Sequence, residues 1–279
     1  MAATAGLPHL VKSLSNEDIA TRDDLRMTEL HLAAQEGHLE TGKLLLEKGA
    51  DREAADSYGV TPLIAATLYG QVKFVEWLLQ EGANLEPKNG NESALQEALS
   101  SSHHAIVEML LAAGADVNFR SGYHGNALQA AIGGGNTETV QLLLNYGAKI
   151  NAQGGRFGNA LQAAAYKESP ETVQLLLRSG ADVNAQGGQY GNALQAAASG
   201  KNIDIVQLLI NSGADINAQG GAYGNPLQAA IIMGHTGIVK ILLNSCADIN
   251  AQGGVYGSAL VAARVNGYTK IVQMLQRWR

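Results

Sequence analysis

Asn159-Ala-Leu-Gln-Ala-Ala164 is the stretch that decides the fold, because it returns as Asn192-Ala-Leu-Gln-Ala-Ala197 and as Asn225-Pro-Leu-Gln-Ala-Ala230. The leucine of this phrase and of its weaker copies recurs every 33 residues, except for one interval of 32. So strict a period predicts one supersecondary unit stacked repeatedly, and therefore an array in place of a closed globule. The repeating leucines are Leu30, Leu63, Leu95, Leu128, Leu161, Leu194, Leu227 and Leu260.

Each repeat carries two apolar segments at helical spacing. With the repeating leucine taken as position 8, position 20 is valine in every repeat after the first, and positions 23 and 24 are a leucine pair such as Leu143-Leu144. Apolar residues at positions 19, 20, 23 and 24 line one face of a helix. Positions 8 to 12 form a shorter, alanine-rich segment. The unit is therefore predicted as helix, tight turn, helix.

The polar residues and glycines mark the ends of these helices. Asn159 followed three residues later by Gln162 is a capping-box pattern, with Asn as the N-cap and the Gln side chain reaching back to it. Pro226 stands at a first helical position, where its missing N–H costs nothing. The second helices are predicted to end at left-handed glycines, and the glycine-rich segment that follows is predicted as an extended loop with a tight reversal. These glycines are Gly147, Gly180 and Gly213.

The segment Thr61-Pro-Leu-Ile-Ala-Ala66, the run Leu30-His-Leu-Ala-Ala-Gln-Glu-Gly-His38 and the repeated Gly-Ala-Asp-Val-Asn resemble ankyrin repeats over about residues 26–279. The resemblance implies an all-α solenoid of helix-turn-helix units joined by hairpin-like loops. From Leu95 onward, Asn and Gln replace the commoner Thr and His of the phrase. That form resembles the arrays that trail fungal NOD-like receptor proteins.

The repeats predict a single array over residues 1–279. A truncated leading repeat over 1–25 is expected to cap the N-terminus, with Leu10, Val11 and Leu14 as its apolar face. Seven repeats follow over 26–257, and a C-terminal capping repeat spans 258–279. Gln276, which stands where other repeats have Leu, makes the outer face of that last helix more polar, as a terminal cap requires.

Composition excludes several classes of function. The net charge of −6, from 19 basic and 25 acidic residues, gives no basic footprint for nucleic acid and no polybasic segment for anionic lipid. The single cysteine, Cys246, excludes a disulfide framework and a cysteine-based zinc site. No apolar run approaches the roughly 20 residues of a membrane span, and the N-terminus lacks a secretory pattern. The expected location is intracellular and cytoplasmic, with the nucleus left open.

Three repeats depart from the pattern. Repeat 1 has Arg26 in place of the loop glycine and Gly42 in place of the valine of the second helix. These changes indicate either a less stable terminal repeat or a partner-binding site at that end. Repeat 4 has surplus glycines over 133–135. They indicate sequence drift or a close approach of two helices, or else a hinge or a flat site where the backbone of a partner can lie. Cys246 replaces a left-handed glycine, where a non-glycine residue costs about 1–2 kcal/mol; drift and a redox-sensing thiol are the two readings.

The ankyrin resemblance implies that the loop tips and first helices line a concave face where protein partners dock. Positions 3, 13 and 14 then carry the candidate contacts. Tyr, Arg and Met are typical interface anchors. The candidates are Tyr58, Leu68, Tyr69, Tyr123, Arg156, Tyr166, Lys167, Gln189, Ile232, Met233, Val255 and Val265.

A second column places one ring in each of the last four loops: Phe157, Tyr190, Tyr223 and Tyr256. Its repetition indicates a structural role in which each ring covers its own loop and the next. A stacking ladder for nucleic-acid bases is the alternative. The acidic net charge and the scarcity of interleaved Lys or Arg count against it.

The prediction that follows is a non-enzymatic protein-recognition module without a cofactor, a metal or catalytic residues. The only histidine pair, His103-His104, is adjacent in sequence and so points apart on a helix. Two alternatives remain open. One is an enzyme or small-molecule binder that uses the concave trough around Tyr69, Tyr166 and Lys167. The other is self-association through the repeated faces, so the chain is expected to be monomeric or weakly self-associating.

Overall fold

The computed structural model describes residues 13, 15, 19, 21–87, 92–120 and 125–278. The chain divides into two compact units, Met1–Gly122 and Tyr123–Arg279, which we call unit 1 and unit 2. In the described part, regular structure is helical, and β-type pairing is confined to isolated bridges within loops. The predicted all-α class is thereby confirmed. Leu10, Val11 and Leu14, the predicted face of the leading repeat, lie outside the described residues.

Unit 1 contains three helix pairs in its described part. Within each pair the shorter first helix packs on the longer second helix, and the first helices α1, α3 and α5 stack in sequence. Thr61 caps α3, and Pro62 occupies its first position, as the sequence predicts. The pairs are α1 (Glu29–Glu36) with α2 (Leu39–Glu47), α3 (Pro62–Leu68) with α4 (Val72–Gln80), and α5 (Ala94–Ser100) with α6 (His104–Ala112).

Unit 2 contains five helix pairs. The first helices form one layer and the second helices form another, and each helix contacts the corresponding helix of the next repeat. The pairs are α7 (Ala127–Gly133) with α8 (Thr137–Asn145), α9 (Ala160–Tyr166) with α10 (Pro170–Arg178), α11 (Ala193–Ser199) with α12 (Ile203–Asn211), α13 (Pro226–Ile232) with α14 (Thr236–Asn244), and α15 (Ala259–Val265) with α16 (Thr269–Arg277).

The core of each unit is built from the repeating columns. The leucine of position 8 is buried in each repeat except the last, and the valine of position 20 is buried in repeats 2 to 7; in the last repeat Leu260 and Val272 are half-buried. The last repeat packs against a neighbour on one side only within the described chain, so its core columns remain partly open. The alanines of the first helices are also buried, which lets adjacent helices approach closely.

The ends of the second helices follow the predicted geometry. Gly147, Gly180 and Gly213 have φ of 82°, 91° and 88°, which is the left-handed region that glycine adopts without strain. Cys246 has φ of 67° at the equivalent place in repeat 7, so it carries the strain expected of a non-glycine residue there. The cysteine is exposed.

Gly42 is not a simple weak point in α2. It is buried, and a Cβ at this position would lie 2.5 Å from a ring carbon of Phe74 and 3.1 Å from Trp77. The two rings meet edge to face with centroids 5.1 Å apart. The missing side chain therefore makes room for the ring of the next repeat. The surplus glycines of repeat 4 also do not shorten α7, which has seven residues like the other first helices of unit 2.

Candidate protein-binding face

The loops of unit 2 are held in register by the glutamines of position 9. Four of the five first helices begin after an Asn whose Oδ1 accepts from the Gln backbone N–H three residues later, at 2.8–3.0 Å. The fifth, α15, begins after Ser258 and has Val261 in place of the Gln. The side chain of Gln195 does not reach back to that cap; its Nε2 donates to the carbonyls of Ala218, at 3.1 Å, and Gly224, at 3.2 Å, in the following loop. Gln129, Gln162 and Gln228 reach forward in the same way.

The predicted reciprocal capping box is therefore wrong for these four repeats. The pattern exists at two caps of unit 1: Gln96 Oε1 accepts from the Ser93 backbone N–H at 2.9 Å, and His31 Nδ1 accepts from the Thr28 backbone N–H at 3.1 Å. In unit 2 the glutamine is fully buried and joins two repeats. Its partner lies a repeat away along the chain, so local sequence cannot distinguish the two arrangements.

A second set of amides ties the outer part of the loops together. Asn184 Nδ2 donates to the carbonyl of Gly213 at 3.0 Å, and its Oδ1 accepts from the backbone N–H of Asp215 at 2.8 Å. Asn151 and Asn217 repeat both contacts with the next loop. The loop tips are also joined directly, since the N–H of Gln189 donates to the carbonyl of Arg156 and the N–H of Ala222 to that of Gln189. The loops of unit 2 thus form one hydrogen-bonded strip.

Position 3 of each repeat stands on this strip. The position is Arg156, Gln189, Ala222 and Val255 in the last four repeats, whereas the cap and glutamine columns beside it hardly vary. Arg156 and Val255 are exposed, and Val255 is 70% exposed. We call the positions 3, 13 and 14 of these repeats the loop-tip face of unit 2.

The aromatic column packs into a cluster at the start of this face. Phe157 and Tyr190 are buried and stack with centroids 6.2 Å apart. Tyr166, at the end of α9, contacts both rings, at 5.4 Å from Phe157 and 4.8 Å from Tyr190. Tyr223 continues the column at 6.2 Å from Tyr190. The rings thus pack against one another, in agreement with the predicted structural role.

Burial raises the pKa of the Tyr190 hydroxyl, and the neighbouring Tyr166 hydroxyl raises it further, while Gln189 and Arg156 act in the opposite direction. Tyr190 is therefore a neutral phenol at physiological pH. Tyr166 is half-buried in this cluster, so it presents an edge of its ring and not a whole side chain.

Arg156 and Lys167 bring positive charge to the cluster. Arg156 is exposed and held in place from two sides: its Nε donates to Gln189 Oε1 at 2.8 Å, and its guanidinium carbon lies 5.8 Å from the centre of the Phe157 ring. Lys167 follows Tyr166 directly and is exposed. The structure thus brings together Arg156, Tyr166 and Gln189, three of the predicted contact residues, and Lys167 is next to Tyr166 in the chain.

The remaining candidates occupy separate places. In unit 1, Tyr58, Leu68 and Tyr69 are 69%, 42% and 56% exposed. In unit 2, Ile232 is half-buried, Met233 is 37% exposed and Val265 is 65% exposed. Tyr123 lies outside the described residues. Sequence reasoning missed Val261, which is 46% exposed at the position where five preceding repeats have a buried Gln; the break in that column was the available signal.

Charge is distributed unevenly between the two units. Residues 1–122 contain 9 Lys or Arg and 18 Asp or Glu, whereas residues 123–279 contain 10 and 7, so the net charges are −9 and +3. Within unit 2 every Asp and Glu lies outside positions 1 to 14 of its repeat. The whole-chain value of −6 conceals this asymmetry.

Two of the histidines contact backbone carbonyls of the preceding repeat. The imidazole Nε2 of His103 lies 3.3 Å from the Leu68 carbonyl, and that of His235 lies 3.2 Å from the Ser199 carbonyl. Among the residues the structure describes, no three His, Cys, Asp or Glu side chains are grouped so as to hold a metal, and no helix is long and apolar enough to span a membrane. A surface depression of about 370 Å³ in unit 2 lies beside α10 and α12, on the second-helix layer.

These features define an array of helix-turn-helix repeats whose loops display variable side chains on a rigid strip. The family model described as ankyrin repeats in three copies matches residues 1–89, 56–121, 96–187, 154–220 and 193–277, so the chain belongs to the ankyrin-repeat family. Domains of this family are protein-interaction modules, and the proteins that contain them are typically non-enzymatic.

Several known proteins are similar to parts of the chain. The TRPA1-type cation channel homolog of Caenorhabditis elegans is 34% identical over 43% of this chain, and the same worm's ankyrin repeat and KH domain protein mask-1 is 33% identical over 42%. The chain covers only 10% and 6% of those two proteins. The solved ankyrin repeat domain of human ASB11 matches 77% of this chain and 96% of its own length, with a TM-score of 0.67 and 27% identity.

Proposed function

We propose that the chain binds a protein partner through the faces formed by its loop tips and first helices. One observation carries the proposal: in unit 2 the loops are joined by side-chain amides and backbone hydrogen bonds, while position 3 on the same strip changes from Arg156 to Gln189, Ala222 and Val255. Because the fold does not fix the residue type at position 3, the side chains there can select a particular partner. A rigid scaffold also lowers the entropy lost on binding.

The candidate contacts in unit 1 are Tyr58, Leu68 and Tyr69, and those in unit 2 are Arg156, Lys167, Met233, Val255 and Val265 together with the half-buried Tyr166, Gln189 and Ile232. Exposed aromatic and aliphatic side chains next to one another favour a contact site. The outermost of them are the sharpest targets, because changing them disturbs the core least.

The test compares two substitutions of the same kind. Val255→Asp introduces a charge on the loop-tip face, and Ile203→Asp introduces one at the start of α12 on the second-helix layer, where Ile203 is 45% exposed. Proteins captured from a source lysate by the immobilised wild-type chain are identified by mass spectrometry. We expect a specific partner to be retained by Ile203→Asp and lost by Val255→Asp, with both variants melting within a few degrees of wild type. A partner lost equally from both, or from neither, contradicts the proposal.

We further propose that the array is the recognition part of a larger cytoplasmic protein of the fungal NOD-like receptor kind, and that it is monomeric or weakly self-associating and does not bind nucleic acid. The Gly-Gly-x-Tyr-Gly-Asn-Ala-Leu-Gln-Ala-Ala phrase supports the lineage, although the relatives named above are animal proteins. The short span of those proteins that the chain covers is consistent with an array within a longer protein. Sedimentation velocity and fractionation of source cells test the monomeric state and the location.

A further inference from the structure

We infer that the loop-tip face of unit 2 takes an acidic peptide segment of its partner, with Arg156 and Lys167 as the carboxylate-binding side chains. This inference rests on the proposed function and names the chemistry of the partner. Its first support is the placement of charge. Positions 1 to 14 of the last four repeats contain Arg156, Lys167 and Arg264 and no Asp or Glu.

The acidic residues of unit 2 have positions that the fold explains. Glu138, Glu171 and Asp204 lie in the first turn of a second helix, where a negative charge complements the helix dipole. Asp182, Asp215 and Asp248 lie in the loops that follow the second helices, where each accepts from the backbone N–H two residues on. The basic side chains of the loop-tip face are exposed, and Arg156 also joins its loop to the next one through Gln189.

The second support is the preorganisation of Arg156. The guanidinium is fixed by Gln189 Oε1 at 2.8 Å and by the ring of Phe157, yet the side chain remains exposed. A planar guanidinium held in this way loses less entropy when it binds a carboxylate than a free side chain does. Lys167 directly follows Tyr166, which contacts Phe157, and it is exposed at the end of α9, so a second cation lies one residue along the chain from the cluster.

The acidic residue that follows Lys167 is Glu168, which has φ of 59°. Its Oε1 accepts from the backbone N–H of Lys201 at 2.7 Å, so this carboxylate is directed at the turn between α11 and α12. Further along the strip, Met233 and Val255 supply exposed apolar surface. The expected ligand therefore combines carboxylates at one end with aliphatic residues at the other.

A protein segment fits this surface better than nucleic acid does. Nucleic-acid sites follow the phosphate backbone with many Lys and Arg side chains, whereas here two cations stand next to an aliphatic stretch. The acidic unit 1 of a second copy is the other possible source of carboxylates. The experiment below assigns the occupant among these three.

The experiment measures fluorescence anisotropy of a labelled peptide built from repeats of Glu-Leu-Ser, with a Lys-Leu-Ser peptide as the matched negative probe. The variant Arg156→Glu/Lys167→Glu is compared with Arg178→Glu/Lys240→Glu, which changes the net charge equally on α10 and α14 of the second-helix layer. We expect the Glu peptide to bind wild type and the control variant, to bind the first variant at least about tenfold more weakly, and to lose affinity as salt is raised. The Lys peptide should not bind.

Equal weakening in both variants, or no preference for the Glu peptide, overturns the inference. Competition by a single-stranded oligonucleotide at equal concentration overturns it in favour of nucleic acid. A salt-sensitive dimer in sedimentation velocity that the Arg156→Glu/Lys167→Glu variant abolishes overturns it in favour of a second copy. Loss of the captured partner in Val255→Asp, together with no peptide preference, would leave the proposed function standing while this inference falls.

Discussion

Replacing Gln195 by alanine should destabilise the protein more than any exposed glutamine replacement. Its Nε2 donates two buried hydrogen bonds, to the carbonyls of Ala218 and Gly224, and the side chain is fully buried. Each hydrogen bond contributes about 0.5–1.5 kcal/mol, so the pair contributes about 2 kcal/mol. The space left by the side chain and the loss of the Gln195 donor to the Ala218 carbonyl add about 1 kcal/mol, whereas the Gly224 carbonyl still accepts from the Gly220 N–H at 2.8 Å. We expect a loss of about 3 kcal/mol in the free energy of unfolding.

Gln207 provides the matched control in the same repeat. It is exposed on α12, and its Nε2 donates to Asn211 Oδ1 at 2.9 Å on the helix surface. Gln207→Ala should change the unfolding free energy by less than about 0.5 kcal/mol. Urea unfolding followed by circular dichroism measures both variants. Amide exchange should accelerate over residues 218–224 in Gln195→Ala and remain unchanged over 127–133, because a repeat contacts only its neighbours.

The reasoning is refuted if Gln195→Ala loses no more stability than Gln207→Ala. A third variant, Gln195→Glu, tests the direction of the hydrogen bonds. It keeps the shape but places carboxylate oxygens against two carbonyl oxygens, so burial should raise the pKa of the new carboxyl. Its stability relative to wild type should therefore increase as pH falls through that raised pKa. A variant as stable as wild type at pH 7 would show that the amide does not act as a donor there.

Three further predictions concern single positions. Burial lowers the pKa of His31, so the unfolded chain binds the proton more readily and the stability of the fold decreases as pH drops below about 6.5. His31→Gln, which introduces the glutamine found at this position in later repeats, should remove that loss of stability, as measured by melting curves at pH 8 and pH 5. Gly42→Ala should destabilise the protein by about 1–3 kcal/mol despite the better helix propensity of alanine, because the new Cβ meets the Phe74 ring. Phe74→Leu should reduce that loss in a double-mutant cycle, whereas a Gly42→Ala variant more stable than wild type would contradict the close packing. Cys246→Gly should stabilise by about 1 kcal/mol in urea unfolding, while Cys246→Ala should not, because only glycine relieves the φ of 67°.

The periodic features of the fold were predictable from the sequence. The caps at Asn159 and Ser169, the first-turn Pro170 and the left-handed glycines all depend on residues within one turn of one another. Such local rules do not need the neighbouring repeat. The buried leucine and valine columns followed for the same reason, because helical spacing alone identifies the inward face.

Features that join two repeats were not predictable from local spacing. The forward reach of Gln162 uses the same residues as a capping box, and only the position of the next loop decides between them. The filling of the space at Gly42 depends on Phe74, a full repeat away. Tyr166 looked like an open anchor because its stacking partner, Tyr190, lies in the following loop. The charge asymmetry was present in the sequence but is lost when the whole chain is summed.

The two units use different side chains for the hydrogen bonds between neighbouring loops, and this difference contributes to their different net charges. In unit 1, carboxylates form the hydrogen bonds between neighbouring loops. Glu53 Oε1 accepts from the backbone N–H of Asn84 at 3.0 Å, and Glu86 Oε1 accepts from the backbone N–H of Asp116 at 2.9 Å. In unit 2 neutral amides such as Asn184 take this place. Part of the acidity of unit 1 is therefore required by its loops, and burial raises the pKa of Glu86 as the cost of that arrangement. Since unit 2 is closed by neutral groups, the hydrogen bonds between its loops need no acidic side chains, and the loop-tip face keeps a positive charge from Arg156 and Lys167.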